Sequence, residues 1–185
     1  MSFNDLLTVL LTFFILLVSI SNIRADKVQD FSASTMEALK SSETLDQRTA
    51  LIRAIGNIGG IDVYSTGEGM AVTLRESLLY QSGSADIIHK DVLRQVGEKL
   101  GATPAFVLVE GHTDSIPVAN SSFPSNWELS TQRAVNVVKF LADECAIDPR
   151  NLSAAGYADS RPVAPNDQPG GRALNRRVNM IISFK

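Results

Sequence analysis

Three features of the sequence predict an α+β domain behind a single membrane-spanning helix. The length of 185 residues suits one ordinary domain with attachments. An apolar run from Leu6 to Ile23 holds no charged residue, and the rest of the chain alternates short strand patterns with helical ones. We therefore expect residues 61–185 to form a mixed sheet with helices packed on one face, after a transmembrane helix at 1–23 and a linker at 24–60.

Composition narrows the classes of function. The formal net charge is -3 and the pI is near 5.4, which gives no sign of nucleic-acid binding. The single cysteine, Cys145, excludes an internal disulfide framework and a cysteine-based zinc site. The only two histidines, His89 and His112, are too few for a conventional structural metal site. We expect neither a metal nor an organic cofactor.

The N-terminal run has the length of a membrane span. With its flanking residues the segment from Phe3 to Ile23 has about 21 residues, which as a helix rising roughly 1.5 Å per residue extend about 30 Å, the thickness of a bilayer core. At about 100° per residue the polar side chains fall on one sector of this helix, and they are Asp5, Thr8, Thr12, Ser19 and Asn22. The pattern predicts a polar stripe on an otherwise apolar helix, with Thr8 and Thr12 as candidate pore-lining residues.

Asp5 is open to two interpretations. An acid in the first turn of a helix suits the helix dipole and the edge of the membrane, so Asp5 could be a capping residue only. An ionisable side chain inside a span, however, usually faces protein or water and marks an ion pathway. On this second interpretation Asp5 carries an ion.

A secretory signal peptide is the alternative to an uncleaved anchor. No Lys or Arg precedes the run, an acid lies where the positive n-region belongs, and the run is at the long end for an h-region. We therefore favour an uncleaved anchor. Arg24 and Lys27 follow the helix, so the positive-inside rule taken alone would place the C-terminal bulk in the cytoplasm.

An amphipathic helix is predicted within the linker, from Asp26 to Ser42. Apolar side chains recur there at helical spacing, and the main ones are Val28, Phe31, Met36 and Leu39. Such a helix is either a stalk that pairs with a second copy or a segment that lies against the membrane or plugs a channel. A second helix, Leu45 to Ile55, ends at a group of glycines.

The first half of the domain is predicted as a hairpin followed by a βαβ unit. Ile61 to Ser65 and Met70 to Arg75 flank a glycine-bearing turn and alternate in the manner of strands. A helical stripe from Ala85 to Leu100 then leads to the continuous apolar strand from Ala105 to Glu110.

The second half begins with a long helix. Ser125 and Glu128 match a capping box that opens a helix reaching about Glu144. A short strand from Leu152 to Tyr157 follows, and a last strand alternates from Val178 to Phe184. A polar loop that contains three prolines separates these two strands.

Candidate ligand-binding residues follow the buried strand. Asp114 lies just past it, Arg133 lies in the capped helix, and Arg176 and Arg177 precede the last strand. A structural ion pair is one interpretation of these charges. The other is that the Asp accepts an ammonium while an Arg binds a carboxylate bidentately, as recognition of a zwitterionic amino-acid end requires. A ligand such as diaminopimelate fits this second interpretation.

Catalysis is not expected, and the chain is predicted not to be an enzyme. His112 and Asp114 alternate on extended backbone, but no nucleophile elbow, pair of catalytic acids or glycine-rich phosphate loop accompanies them. We expect His112 to be a structural residue and His89 to be a solvated helix residue.

Five ordered blocks of sequence carry a resemblance to a known family. They are LLYQSGSADI, VEGHTDSIP, NWELSTQRAVNVVKFL, LSAAGYADSRPVAPN and GRALNRRVNMII. Together they resemble an OmpA-like peptidoglycan-binding domain over about residues 61–185. The segment FNDLLTVLLTFFILLVSIS is similar to the membrane helix of MotB-type (MotB/PomB) flagellar stator subunits, in which an early Asp carries the coupling ion.

The resemblance implies roles for individual residues. The positions that match the family's binding residues, and would hold the diaminopimelate and stem peptide of peptidoglycan, are Asp114, Asn126, Arg133 and Arg176. Asp5 would carry the coupling ion, H⁺ or Na⁺, and the amphipathic helix would be the plug. Family topology places the helix in the bacterial inner membrane and the domain in the periplasm. We adopt that orientation over the charge rule, because peptidoglycan exists only there.

The resemblance also implies partners. A homodimer of this chain would stand within a ring of MotA-type multi-span membrane subunits while the domains grip peptidoglycan, with no role for nucleic acid. Two alternatives stay open. One is a membrane-tethered peptidoglycan-binding protein without ion-channel activity, and the other is a stator-like subunit of a non-flagellar ion-driven machine.

Overall fold

The computed structural model describes residues 4–19, 45, 48–66, 69–101, 103–118 and 122–184. The chain divides into two compact units, Met1–Gln47 and Arg48–Lys185. The second unit thus begins upstream of the predicted domain start at Ile61. The reason is that the helix over residues 48–56, which we call α1, buries Leu51 and Ile55 in the hydrophobic core of that unit.

The first unit contains a helix over residues 4–19 whose apolar side chains are exposed. The Thr8 hydroxyl donates to the carbonyl oxygens of Asn4 at 3.1 Å and Asp5 at 2.9 Å, and the Thr12 hydroxyl donates to that of Val9 at 2.9 Å. These hydroxyls therefore satisfy their hydrogen bonding within the helix itself.

The predicted membrane span and plug extend beyond the residues that the structure describes. Within the described residues, no helix combines the length and the apolar character that crossing a membrane requires. The span at 1–23 stays a prediction. The plug candidates lie outside the described residues altogether, and they are Val28, Phe31, Met36 and Leu39.

The second unit is built on the mixed five-stranded sheet that the sequence predicts. Its strands are β1 (Ile61–Thr66), β2 (Gly69–Arg75), β3 (Ala105–His112), β4 (Leu152–Gly156) and β5 (Arg177–Phe184). The spatial order is β1-β2-β5-β3-β4, with β3 and β4 parallel and the other neighbours antiparallel. Strands β2 and β3 of the predicted βαβ unit therefore run in the same direction on the two sides of β5.

Four further α-helices follow α1 among the described residues of this unit. They are α2 (Glu76–Leu79), α3 (Lys90–Gly101), α4 (Asn126–Cys145) and α5 (Pro169–Asn175), and a 3₁₀ turn covers Pro149–Asn151. The two shortest, α2 and α5, were not expected from the sequence. The helix predicted to begin at Ala85 begins at Lys90 instead, and His89 is therefore exposed just ahead of a helix and not within it.

The late start of α3 has a local cause. Tyr80 and Ile87 form an isolated antiparallel bridge, and the Ile88 N–H donates to the Leu79 carbonyl at 2.8 Å. These bonds hold the chain extended through Ile87, so the helix starts only after them.

The predicted cap of α4 is confirmed. Ser125 is the N-cap, its hydroxyl oxygen accepts from the Trp127 N–H at 3.2 Å, and it bonds the carboxylate of Glu128. The helix ends before Ala146, which adopts a left-handed φ of 54°. With both ends fixed, α4 holds a defined register along the sheet.

The core lies between one face of the sheet and the helices. Alternate residues of β2, β3 and β5 are buried there, and so are the facing side chains of α1, α3 and α4. On the other face Phe106 of β3 is 46% exposed. Helix α4 approaches β3 so closely that a Cβ on Gly111 would lie 2.1 Å from the carbonyl oxygen of Ser130. Glycine is therefore the residue that this contact allows.

Candidate ligand-binding site

A cavity of about 380 Å³ lies where the loop after β3, the start of α4 and the start of β5 meet. All four residues that the sequence assigns to ligand binding line it, and they are Asp114, Asn126, Arg133 and Arg176. Its apolar wall includes Ile116, Pro117 and Leu129. We call this cavity the charged pocket. Residues from five separate segments, including Glu76 and the turn at Ser82 and Gly83, thus form a single pocket with charged groups and an apolar wall.

Helix α4 supplies the deepest charge of the charged pocket. Asn126, Leu129 and Arg133 line it together because residues three and four apart share one face of a helix. Arg133 lies about two turns into α4 and is only 2% exposed. A buried guanidinium requires partners for its charge and its N–H groups.

Arg133 has such partners. Its Nε donates to the Ser84 carbonyl at 2.8 Å, and its Nη2 forms a short ion pair with Glu76 Oε1. The guanidinium also lies 4.9 Å from the centre of the Tyr80 ring, and the Tyr80 hydroxyl donates to the Arg133 carbonyl at 3.0 Å. Burial raises the pKa of Tyr80 despite the opposing Arg133 charge, so the phenol stays neutral.

Arg176 connects the two carboxylates of the charged pocket. Its Nε lies 2.6 Å from Glu76 Oε2, and its Nη1 lies 2.6 Å from Asp114 Oδ2. Burial disfavours the charged form, but the bonds and charges of Asp114 and Glu76 outweigh burial and raise the pKa of Arg176. The side chain is 33% exposed, so the guanidinium is open to a ligand from one side.

Glu76 is the pocket residue that the sequence reasoning missed. It follows β2 directly, is 9% exposed and pairs with both Arg133 and Arg176. Its own N–H donates to the Arg176 carbonyl at 2.9 Å, which fixes the backbone of the two segments together. The available signal was an acid placed immediately after an alternating strand and just ahead of the first family-like block.

The loop that carries Asp114 is held by its own bonds and by Asn126. Asp114 Oδ1 accepts from the Ile116 N–H at 3.1 Å. Asn126 Nδ2 donates to the carbonyls of Asp114 at 3.2 Å and Ile116 at 3.0 Å, while Asn126 Oδ1 accepts from the Val118 N–H at 3.0 Å. Asn126 therefore holds the loop that carries Asp114, which we call the acidic loop, in its conformation.

His112 belongs to a neighbouring polar cluster and not to the lining of the charged pocket. It is 2% exposed, stacks on Tyr157 with 5.5 Å between ring centres, and places Nε2 3.6 Å from Glu110 Oε2. Burial, followed by the charges of Arg177 and Arg161, lowers the pKa of His112 to about 4. The imidazole is therefore neutral at neutral pH.

The charged pocket is suited to binding a zwitterion. It contains two carboxylates and two guanidinia, so its formal charges balance, and they are those of Glu76, Asp114, Arg133 and Arg176. A carboxylate can accept from a ligand ammonium, and a guanidinium can donate two parallel bonds to a ligand carboxylate. Within the described part of the chain, no group of His, Cys, Asp and Glu side chains is arranged to hold a metal ion.

Two family models match separate parts of the chain. The OmpA family matches residues 79–176, which is just over half of the chain and includes all four predicted binding residues, and of the charged quartet it leaves out Glu76 alone. The model described as membrane MotB of the proton-channel complex MotA/MotB matches residues 1–39.

Curated relatives agree with both matches. Motility protein B of Bacillus subtilis (strain 168) is 38% identical over 125 residues, an alignment that covers 66% of this chain and 48% of that protein. The chain thus spans about half the length of that relative. Motility protein B of Helicobacter pylori (strain J99) is 26% identical over 215 residues, covering 98% of this chain and 83% of the relative.

Solved structures resemble the second unit. The periplasmic domain of Helicobacter pylori MotB aligns with a TM-score of 0.63 at 27% identity, over 68% of this chain and 83% of that one. The cell wall anchor of the type VI secretion system from Pseudomonas aeruginosa aligns with a TM-score of 0.67 at 32% identity, over 73% and 94%. The chain therefore belongs to the OmpA family and is a MotB-type protein.

Proposed function

We propose that this chain is a stator subunit of an ion-driven membrane motor, most simply the flagellar motor, and that it is anchored to peptidoglycan through the charged pocket. The convergence of Asp114, Asn126, Arg133 and Arg176 on one cavity supports the anchor. The match of residues 1–39 to a MotA/MotB membrane family supports the motor. The anchor resists the reaction force, so that ion passage at the other end of the molecule produces torque.

The ligand at the anchor is the stem peptide of peptidoglycan, which the pocket recognises at its diaminopimelate residue. The free end of diaminopimelate carries an ammonium and a carboxylate on one carbon, which suits Asp114 and Arg176 standing side by side. The apolar wall formed by Ile116 and Leu129 suits the aliphatic arm that joins this end to the peptide. Binding, and not catalysis, is the role of the pocket.

The ion-carrying group is Asp5, near the start of the helix over residues 4–19. Exposed leucine, valine, isoleucine and phenylalanine side chains along this helix support its insertion into lipid. Binding H⁺ or Na⁺ at Asp5 removes a charge from a low-dielectric site, which changes its contacts with MotA-type multi-span partners. Two copies of the chain would supply two such carboxylates, with Thr8 and Thr12 beside them.

The proposed topology is a single pass through the bacterial inner membrane with the second unit in the periplasm. Peptidoglycan lies on that side, and the solved Helicobacter pylori MotB structure is that of a periplasmic domain. Residues 26–42 would plug the ion path until the anchor engages.

Sedimentation with purified sacculi tests the anchor. The full chain in detergent should co-sediment with sacculi, and Asp114→Ala should reduce the bound fraction at least ten-fold, because the ammonium loses its acceptor. Asp143→Ala, which removes an exposed acid of α4 remote from the pocket lining, is the matched control. Equal binding by Asp114→Ala and the wild-type chain would refute the assignment.

A wall tether without an ion channel is the second candidate, and the similarity to a cell wall anchor of a secretion system favours it. Purification from membranes in mild detergent separates the two candidates. A stator subunit should bring with it a multi-span partner in a fixed ratio. A tether should purify without such a partner while keeping its affinity for sacculi.

A further inference from the structure

Glu76 contacts both arginines of the charged pocket. Its Oε1 pairs with Arg133 Nη2, and its Oε2 lies 2.6 Å from Arg176 Nε. The residue is 9% exposed, so solvent screens its charge only weakly. A single buried carboxylate therefore acts on two cations that have different exposures, 2% for Arg133 and 33% for Arg176.

We propose that Glu76 is a positioning residue that makes the charged pocket select zwitterions over anions. It acts through Arg133 and Arg176, whose guanidinia its carboxylate holds. The inference rests on the proposed function, since it concerns the ligand class of the same pocket.

The first step of the argument is charge balance. Arg133 is almost completely buried, and a charge in that position requires a counter-ion nearby. Glu76 supplies it, so the formal charges of Glu76, Asp114, Arg133 and Arg176 sum to zero. A ligand with one ammonium and one carboxylate enters such a pocket without leaving net charge in a low-dielectric site, whereas a simple anion leaves its charge uncompensated.

The second step is the orientation of Arg176. Glu76 holds the guanidinium through Nε, while Nη1 bonds Asp114. Without Glu76, three charged groups would remain in the pocket, and Asp114, which pairs with Arg176, would be the one carboxylate beside two guanidinia. An incoming ammonium would then have to compete for Asp114, while an incoming carboxylate would meet an excess of positive charge.

The test compares two ligands that share a carbon skeleton. Diaminopimelic acid carries two amino groups that pimelic acid lacks, and the affinity of each for the full chain in detergent can be measured by NMR titration. We expect the wild-type chain to prefer diaminopimelic acid. Glu76→Gln should lower the affinity for diaminopimelic acid about ten-fold and leave that for pimelic acid unchanged or higher.

Matched variants separate positioning from general damage. Glu98→Gln removes an exposed carboxylate of α3 and should keep the wild-type preference. Glu76→Asp keeps the carboxylate charge and should retain most of the wild-type preference for diaminopimelic acid. If Glu76 were merely structural, Glu76→Gln would weaken the binding of both ligands by the same factor. An unchanged ratio of the two affinities in Glu76→Gln would therefore overturn the inference.

A second comparison covers the case in which Glu76→Gln does not fold because Arg133 is left buried without its partner. Arg133→Met and the double variant Glu76→Gln/Arg133→Met both lack the buried guanidinium, and they differ only at Glu76. The inference requires the preference to shift towards pimelic acid in the double variant. If the wild-type chain binds neither compound, the proposed function of the pocket fails and the inference fails with it. If it binds diaminopimelic acid and the shift is absent, only the inference fails.

Discussion

Asn126 joins the first turn of α4 to the loop that carries Asp114. Its Nδ2 donates to the carbonyls of Asp114 and Ile116, and its Oδ1 accepts from the Val118 N–H. The side-chain amide therefore uses both kinds of hydrogen-bonding group, which a carboxylate of the same shape cannot do. The acidic loop is fixed before any ligand arrives.

Asn126→Asp should destabilise this loop and weaken wall binding. A carboxylate oxygen would face two carbonyl oxygens, and the loss of these two hydrogen bonds costs about 1–3 kcal/mol. Thermal unfolding of the chain in detergent and sedimentation with sacculi measure the two effects. Asn57→Asp, at an exposed position, is the control. Wild-type stability in Asn126→Asp would show that the amide does not organise the loop.

His112 should make stability depend on pH. Its pKa of about 4 in the folded chain lies below the ordinary value of 6.5, so the folded state binds fewer protons than the unfolded state between these values. Above about pH 6.5, His112 is neutral in both states and the chain keeps its full free energy of unfolding. That free energy falls by about 3 kcal/mol as the pH falls to about 4.

His112→Gln should therefore flatten this part of the pH profile of unfolding in urea. His89→Gln should keep the wild-type profile, because His89 is exposed. If His112→Gln follows the same profile as the wild-type chain between pH 4 and 6.5, the buried neutral histidine is not the source of the dependence.

Gly111→Ala should damage the packing of α4 on β3. The new Cβ would lie 2.1 Å from the carbonyl oxygen of Ser130, and two backbones must separate to admit it. We expect a loss of about 3 kcal/mol in the free energy of unfolding. Gly56→Ala, where nothing lies within 4 Å of the added Cβ, should be neutral or slightly stabilising. Equal melting temperatures for the two variants would contradict the close approach.

Asp5→Asn should abolish ion-driven movement and leave the anchor intact. The amide keeps the shape of the side chain but cannot exchange a proton or pair with Na⁺. Swimming of cells that carry the variant measures the first effect, and sedimentation with sacculi measures the second. Asp143→Asn is the control for loss of an acid elsewhere. Normal swimming with Asp5→Asn would end the ion-carrier assignment.

The sequence predicts the parts of the fold that local pattern determines. The strands alternate or run apolar as their burial requires, and α4 carries its own cap at Ser125. Helix α5 escaped prediction because Pro169, Gly170 and Gly171 are typical of a loop. The helix expected from Ala85 begins later because the bridge between Tyr80 and Ile87 holds the chain extended there.

The residues of the candidate site also fall into those that sequence motifs predict and one that they do not. Four binding residues follow from motifs that the chain shares with a family, whereas Glu76 depends on pairing between distant strands. The register that places Arg75 opposite Arg177 brings Glu76 beside Arg176, and no local pattern around Glu76 contains that information. Local patterns in a single sequence do not show which distant strands pair with each other.

Strand β5 lies between β2 and β3, although the other four strands all precede it along the chain. A ribosome therefore delivers the middle of the sheet after its flanks, and Arg176 emerges with it. Until then the nascent polypeptide has neither a closed sheet nor a complete quartet of charges. The charged pocket is consequently among the last features that the chain completes during its synthesis, after its N-terminal segment has already emerged.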